Sequence, residues 1–433
     1  MILEFKVENF RSFKTEQVFS MVAESTKNKP HNVIDTALPK GSSVRLLKSA
    51  VIYGANASGK SNFLKAFYAL RYFIIKSDSF KIDKGIDCYE PFLLDEVSKN
   101  VPTKFDVTFI INGIKYHYSV AYNELEVISE TLDDYPNIQG RNLYNRKRLE
   151  GDYHEINAGK NLIKTGLPKK VLKNQLILSK FGSEPHEQLN DIYRFFDAIS
   201  IGNALDSRRI QVLVEELGKE INKPENKVLA QQVNLLIKAA DVNIKNIFVG
   251  DISQKEIGTL KSLPFSEKFK DKLIDDNRSR VFGQHTVFDN EKNEVDTVDF
   301  DFRNDISVGT NALFAIGGMI LKKLATGGLV VFDELDNSLH PKITRFLIQL
   351  FHNPLVNKRN AQIIFSTHEP LLMDKDMFRS DQIWFTQKTR FGETEIYSAQ
   401  DFEGVREDIP FDKWYMAGKF GALPHIQEFA FLL

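Results

Sequence analysis

The sequence has almost no cysteine, almost no net charge and no long apolar run, and each absence closes off a class of protein. A lone Cys88 in 433 residues excludes an internal disulfide and any multi-cysteine zinc site, and fits a reducing, cytoplasmic setting. With 57 Lys and Arg against 58 Asp and Glu, the formal charge of -1 supplies no global attraction for nucleic acid, so any such contact needs a local basic face. The longest apolar stretch, Ala312 to Phe332, is broken by Lys322, Lys323 and several glycines, which makes it a poor membrane span. The opening MILEFKVENFRSF puts charges where a signal peptide needs its apolar centre. No internal repeat or low-complexity tract is present, and no heptad is sustained long enough for a long coiled coil.

What remains is an ordinary globular mixture, 42% hydrophobic and 27% charged, long enough for two or three subdomains. Residues 29–43 read as a loop and Leu46 to Tyr53 as one buried strand. Beyond it, Phe63, Ala66, Phe67, Leu70 and Ile74 share one face of a helix. From about 86 to 150 short alternating strands predict an antiparallel lobe, with Asn112-Gly113 as a hairpin turn. Residues 187–198 and 207–240 read as helices, the second interrupted at Pro224, and 250–300 as charged and irregular with strands near 280–288 and 295–302. A helix from 311 to 324, a strand from 328 to 332, a helix opening at Pro341, a strand from 361 to 366 and a final hairpin around Gly392 complete the chain.

Between the strand and the helix of the first third lies Gly54-Ala55-Asn56-Ala57-Ser58-Gly59-Lys60-Ser61, a full Walker A pattern. Its glycines let successive N–H groups turn onto phosphates, aided by the helix dipole; Lys60 would meet the β- and γ-phosphates and Ser61 a magnesium ion. Gly54, Asn56, Ala57, Ser58, Gly59, Lys60, Ser61 and Asn62 are therefore the expected binders of ATP. Leu329-Val330-Val331-Phe332-Asp333-Glu334 supplies the partner carboxylates: Asp333 for Mg²⁺, and Glu334 to polarise an attacking water, which suits hydrolysis rather than transfer to an alcohol. Asp336-Asn337-Ser338-Leu339-His340-Pro341 stands where ABC-type ATPases have a D-loop, and Ser366-Thr367-His368 where they have a switch histidine. Ser307-Val308-Gly309-Thr310 precedes the helix leading into the acidic strand, as an ABC signature does. A signature of this kind faces the nucleotide of a second subunit, so one chain would carry two half-sites and hydrolysis would require dimerisation.

These motifs, with LILS in the middle, SDQIWF and a terminal AGKFGALPHI, resemble prokaryotic ABC-type ATPases of anti-phage operons, the RloA/AbiL-like and PARIS AriA-like proteins related to RecF, SMC and overcoming-lysogenization-defect ATPases. The resemblance implies an α/β fold: an ABC-type P-loop ATPase head with an antiparallel β lobe and a helical insert. The expected divisions are 1–165, an N-terminal ATPase lobe; 166–300, a helical insert with a charged connecting segment; and 301–433, a C-terminal ATPase lobe. It implies Lys60, Asp333, Glu334 and His368 as catalytic, Ser307, Gly309 and Thr310 acting in trans, and Arg11 and Ser12 near the nucleotide. The signature lacks the second consecutive glycine and the Gln of the transporter form, and only Gln139 and Gln175 offer themselves as a Q-loop residue. About 35 residues follow the last hairpin, too few for a fused TOPRIM nuclease, so a separate TOPRIM- or RloB-like effector nuclease, together with a phage protein or DNA trigger, is the expected partner besides a second copy. The competing function is DNA repair or maintenance of the RecF or SMC kind, for which the basic clusters 141–148, 169–173 and 358–359 would be the contacts.

Overall fold

A computed structural model describes residues 1–39, 43–203, 207–240, 243–252, 254–277, 279–406 and 408–424. The expected loop at 29–43 runs partly through Lys40, Gly41 and Ser42, and the terminal AGKFGALPHI motif ends in His425 and Ile426; these lie outside the described residues. The chain forms two compact units that interleave in sequence: residues 1–202, 326–335 and 348–433 make one, and 203–325 with 336–347 the other.

The first unit holds two large sheets. A six-stranded sheet runs in the order Ser200–Asn203, Leu329–Asp333, Gln362–Ser366, Ser49–Tyr53, Ile383–Lys388, Thr394–Ser398. Its central pairs are parallel, and the last two strands form an antiparallel hairpin. The three central strands Leu329–Asp333, Gln362–Ser366 and Ser49–Tyr53 are buried at every position, the continuous apolar run expected of strands covered on both faces. An eight-stranded antiparallel sheet follows the order 170–172, 153–158, 141–147, 127–135, 114–122, 103–111, 2–8, 17–20.

The helix Lys60–Lys76 joins the two sheets through one core. Phe63, Ala66, Phe67, Leu70 and Ile74 are all buried, as their spacing predicts. Phe67 stacks on Phe5 of the first strand at 4.0 Å, while Leu329, Val331 and Ile364 of the parallel sheet belong to the same cluster. The α/β head with an antiparallel lobe is thus the observed architecture.

Three local expectations are corrected. The single strand from Leu46 to Tyr53 is two, Ser43–Leu47 and Ser49–Tyr53, because Lys48 breaks step: its N–H donates to Asn32 O and its carbonyl accepts from Ile363 N. The first of these pairs with Val33–Ala37, so the stretch expected to be a loop contains a strand, with V-I-D-T-A as its sequence. The charged stretch after residue 250 contains helices Gln254–Lys261 and Glu267–Asn277. Their sequences are too polar to show an apolar stripe.

The second unit consists of helices 207–221, 227–240 and 308–326, the two short helices, and an antiparallel sheet of 244–251, 279–288 and 294–301. Gly317 and Gly318 in the helix Val308–Thr326 admit Leu236 and Leu217, which a Cβ at either position would strike. That close approach explains two glycines inside a helix, where each would otherwise cost stability.

Candidate nucleotide-binding site

The parallel strands deliver their carboxyl ends to one place. Tyr53 leads into the Walker A loop, whose backbone takes positive φ at Gly54 (154°), Ala57 (64°) and Gly59 (117°). The loop rests on the final hairpin. Ser58 Oγ and Thr386 Oγ1 are 2.6 Å apart, and Thr394 Oγ1 donates to Ser58 O at 2.9 Å. A side chain at Gly54 would meet Thr386 O at 2.5 Å, and one at Gly59 would collide with Thr394, so both glycines are required by space as well as by φ. Gly59 offers no side-chain cap to the helix Lys60–Lys76. Lys60 Nζ folds back onto Gly54 O (2.8 Å) and Ala55 O (3.1 Å).

The acidic pair is set by Ser366. Its Oγ donates to Asp333 Oδ1 at 2.6 Å and accepts from Glu334 N at 2.8 Å. Glu334 takes a left-handed conformation (φ 54°), and Leu335 N bonds to Ser366 O, so the chain turns sharply between the two carboxylates. Asp333 stays buried while Glu334 enters an open cleft of about 420 Å³ with His368, loop residues 56–62 and Lys388. His368 Nε2 lies 3.5 Å from Glu334 Oε1. The order of strands explains the convergence: the one carrying Ser366 and His368 lies between the Walker A strand and the acidic strand.

The other expected residues divide. Arg11, with φ 51°, pairs with Glu90 at 2.5 Å, and Ser12 Oγ accepts from Asn62 Nδ2 (2.9 Å) and lies 2.8 Å from Thr394 Oγ1. Both line a neighbouring cleft of about 490 Å³ rather than the one holding Lys60 and Glu334. In the second unit, Ser307 Oγ accepts from Thr310 N at 3.1 Å and contacts Thr310 Oγ1 at 2.9 Å, capping the helix Val308–Thr326. Gly309 lies under Ser338 O, 3.1 Å from where a Cβ would stand. Neither Q-loop candidate lines the cleft: Gln175 is buried with its amide on Asp78 O and Phe80 O, and Gln139 is exposed.

Sequence reasoning missed Ser366 as the residue joining the Asp333 carboxylate to the Glu334 backbone, the Thr386–Thr394 support and Lys388. Only Ser366 had a signal, its place in Ser-Thr-His; the rest depend on hairpin register, which sets Lys388 opposite Thr394. The hydroxyl of Ser61 and the carboxylate of Asp333 are hard oxygen donors, the set that suits Mg²⁺ held by one or two protein groups and substrate phosphates.

A glycine loop with lysine at a helix start, facing a strand-end Asp-Glu pair, defines the nucleotide site of a P-loop ATPase. Residues 49–374 match the family described as "AAA domain, putative AbiEii toxin, Type IV TA system", and the chain belongs to that family. Among solved structures it is similar to the SMC head domain from Thermotoga maritima, at 13% identity and a TM-score of 0.39, covering 92% of this chain and 98% of that one. It is also similar to cbiO1 from Clostridium perfringens, part of an ABC transporter complex, at 12% identity and a TM-score of 0.29, covering 97% and 92%. No curated protein matches. Among the described residues no helix is long and apolar enough to cross a membrane.

Proposed function

We propose that the chain is a cytoplasmic ABC-type ATPase that hydrolyses ATP between two copies of itself and uses closure of that site to control a separate effector in anti-phage defence. The observation that carries the hydrolytic reading is Ser366, which holds Asp333 and the Glu334 backbone together and leaves the Glu334 carboxylate in the cleft with Lys60. A bound Mg²⁺, held by Ser61 and Asp333, would neutralise phosphate charge. Lys60 releases the Gly54 and Ala55 carbonyls to take the β- and γ-phosphates. Glu334 accepts the proton of the attacking water, and His368 at its side fixes the carboxylate and senses the γ-phosphate. Ser307, Gly309 and Thr310 complete the site of the other copy.

The family's description names a putative toxin and a toxin–antitoxin system, which supports a chain that works with a separate partner; on the sequence resemblance that partner is a TOPRIM- or RloB-like nuclease. A DNA-clamping role has less support. Within 141–148, Arg141, Arg146, Lys147 and Arg148 face Asp134, Glu130, Glu155 and Glu126, so this basic cluster is neutralised, and Lys173 faces Asp152 at 3.1 Å. The test is Glu334→Gln. It keeps ATP affinity, lowers turnover by about a hundredfold or more, and accumulates an ATP-bound oligomer visible by light scattering; normal turnover refutes the assignment of the base.

A further inference from the structure

We propose that Lys388 is a second cationic contact for the nucleotide, placed where its phosphates join the nucleoside. The inference rests on the Walker A loop being a nucleotide site. Two open clefts meet beside that loop, one holding Lys60 and Glu334, the other lined by Arg11, Ser12 and the segment Tyr89 to Leu94. Asn62 and Lys388 are the residues that line both. A nucleotide with its terminal phosphates on the loop and its nucleoside in the second cleft must pass between them, and the group at that point is the α-phosphate.

Of the two, Asn62 is already engaged: its amide donates to Ser12 Oγ, and its oxygen lies 3.4 Å from Arg11. Arg11, the other cation at the second cleft, is committed to Glu90. Lys388 is exposed, and among the described residues its ammonium has no hydrogen-bond or ion-pair partner. Its position is fixed by pairing. Phe385 is in register with Tyr53, so Lys388 extends three residues past the end of the Walker A strand. Its cross-strand partner Thr394 holds Ser58 O, tying this segment to the loop itself. Lys60 serves the terminal phosphates from inside the loop, which leaves the α-phosphate charge for Lys388 to meet from outside it.

The experiment titrates fluorescent ATP and ADP, each with Mg²⁺, against the wild type, Lys388→Ala and Lys388→Arg, with melting curves as the folding control. Loss of one charge-assisted contact should weaken ATP and ADP alike by about tenfold in Lys388→Ala, and Lys388→Arg should recover most of it. Unchanged affinities in Lys388→Ala, beside a tightly binding wild type, overturn the proposal alone. Weakening of ATP without ADP overturns the α-phosphate position, because the contact then lies at the γ-phosphate. A wild type that binds neither nucleotide overturns the underlying reading of the loop.

Discussion

Two helices begin where the sequence expects phosphate, and they begin differently. Lys60–Lys76 starts after Gly59 with no side-chain cap, its loop shaped by three positive φ angles and braced by hydroxyls from another strand. Val308–Thr326 starts after Ser307, which already accepts from Thr310 N and so uses its own hydroxyl as the cap. The first end carries no capping side chain, as suits a site for an outside anion. The second is satisfied alone, and must trade an internal hydrogen bond for any external one. That asymmetry fits a loop that binds nucleotide by itself and a signature that engages only when a partner brings the nucleotide to it.

The largest effect should come from removing the cation of the open end. Lys60→Ala is expected to weaken ATP binding by about a hundredfold or more, whereas Ser307→Ala changes it by less than about twofold and costs about 1 kcal/mol of helix stability. Equal losses in both titrations would erase the difference between the two ends. A smaller effect tests the brace. Thr394→Val removes the hydroxyl shared with Ser58 O and Ser12 Oγ, and should cost about tenfold in nucleotide affinity while the protein stays folded. Wild-type affinity in that variant would mean the loop holds its shape without the hairpin.

How much of this was legible in the sequence depended on whether the signal was local. GANASGKS, the apolar strand before it and the amphipathic face Phe63 to Ile74 are local, and the fold follows them. Asp333 and Glu334 were legible as a pair, but their divergence was not: it requires Ser366 from a strand more than thirty residues on. Lys388 was silent because no spacing distinguishes a lysine at a hairpin end from any solvated one. The strand at 33–37 was hidden by neighbours that favour turns, and the helices at 254–261 and 267–277 by their charge.

The smallest effect at neutral pH concerns the sheet beneath the open end. His352 is buried against Ser49 Oγ at 2.8 Å, and burial, with the nearby Lys48 charge, pushes its pKa down to about 3. An unfolded histidine titrates near 6.5, so the unfolded chain takes up this proton first. The contribution is therefore complete above pH 6.5 and is lost as pH falls towards 3, by up to about 1.4 kcal/mol per pH unit for this group. His352→Asn should flatten that acid limb in denaturant melts; an unchanged slope would assign it to other groups.

The central claim is that the two helix starts belong to one site only when contributed by different copies. It is tested most directly by mixing Lys60→Ala with Ser307→Arg and measuring ATP hydrolysis. Each variant alone should be inactive. In a random mixture about half the dimers are mixed, and each of these contains one intact site, so activity should return to about a quarter of wild type. A mixture no more active than its two components would contradict the account.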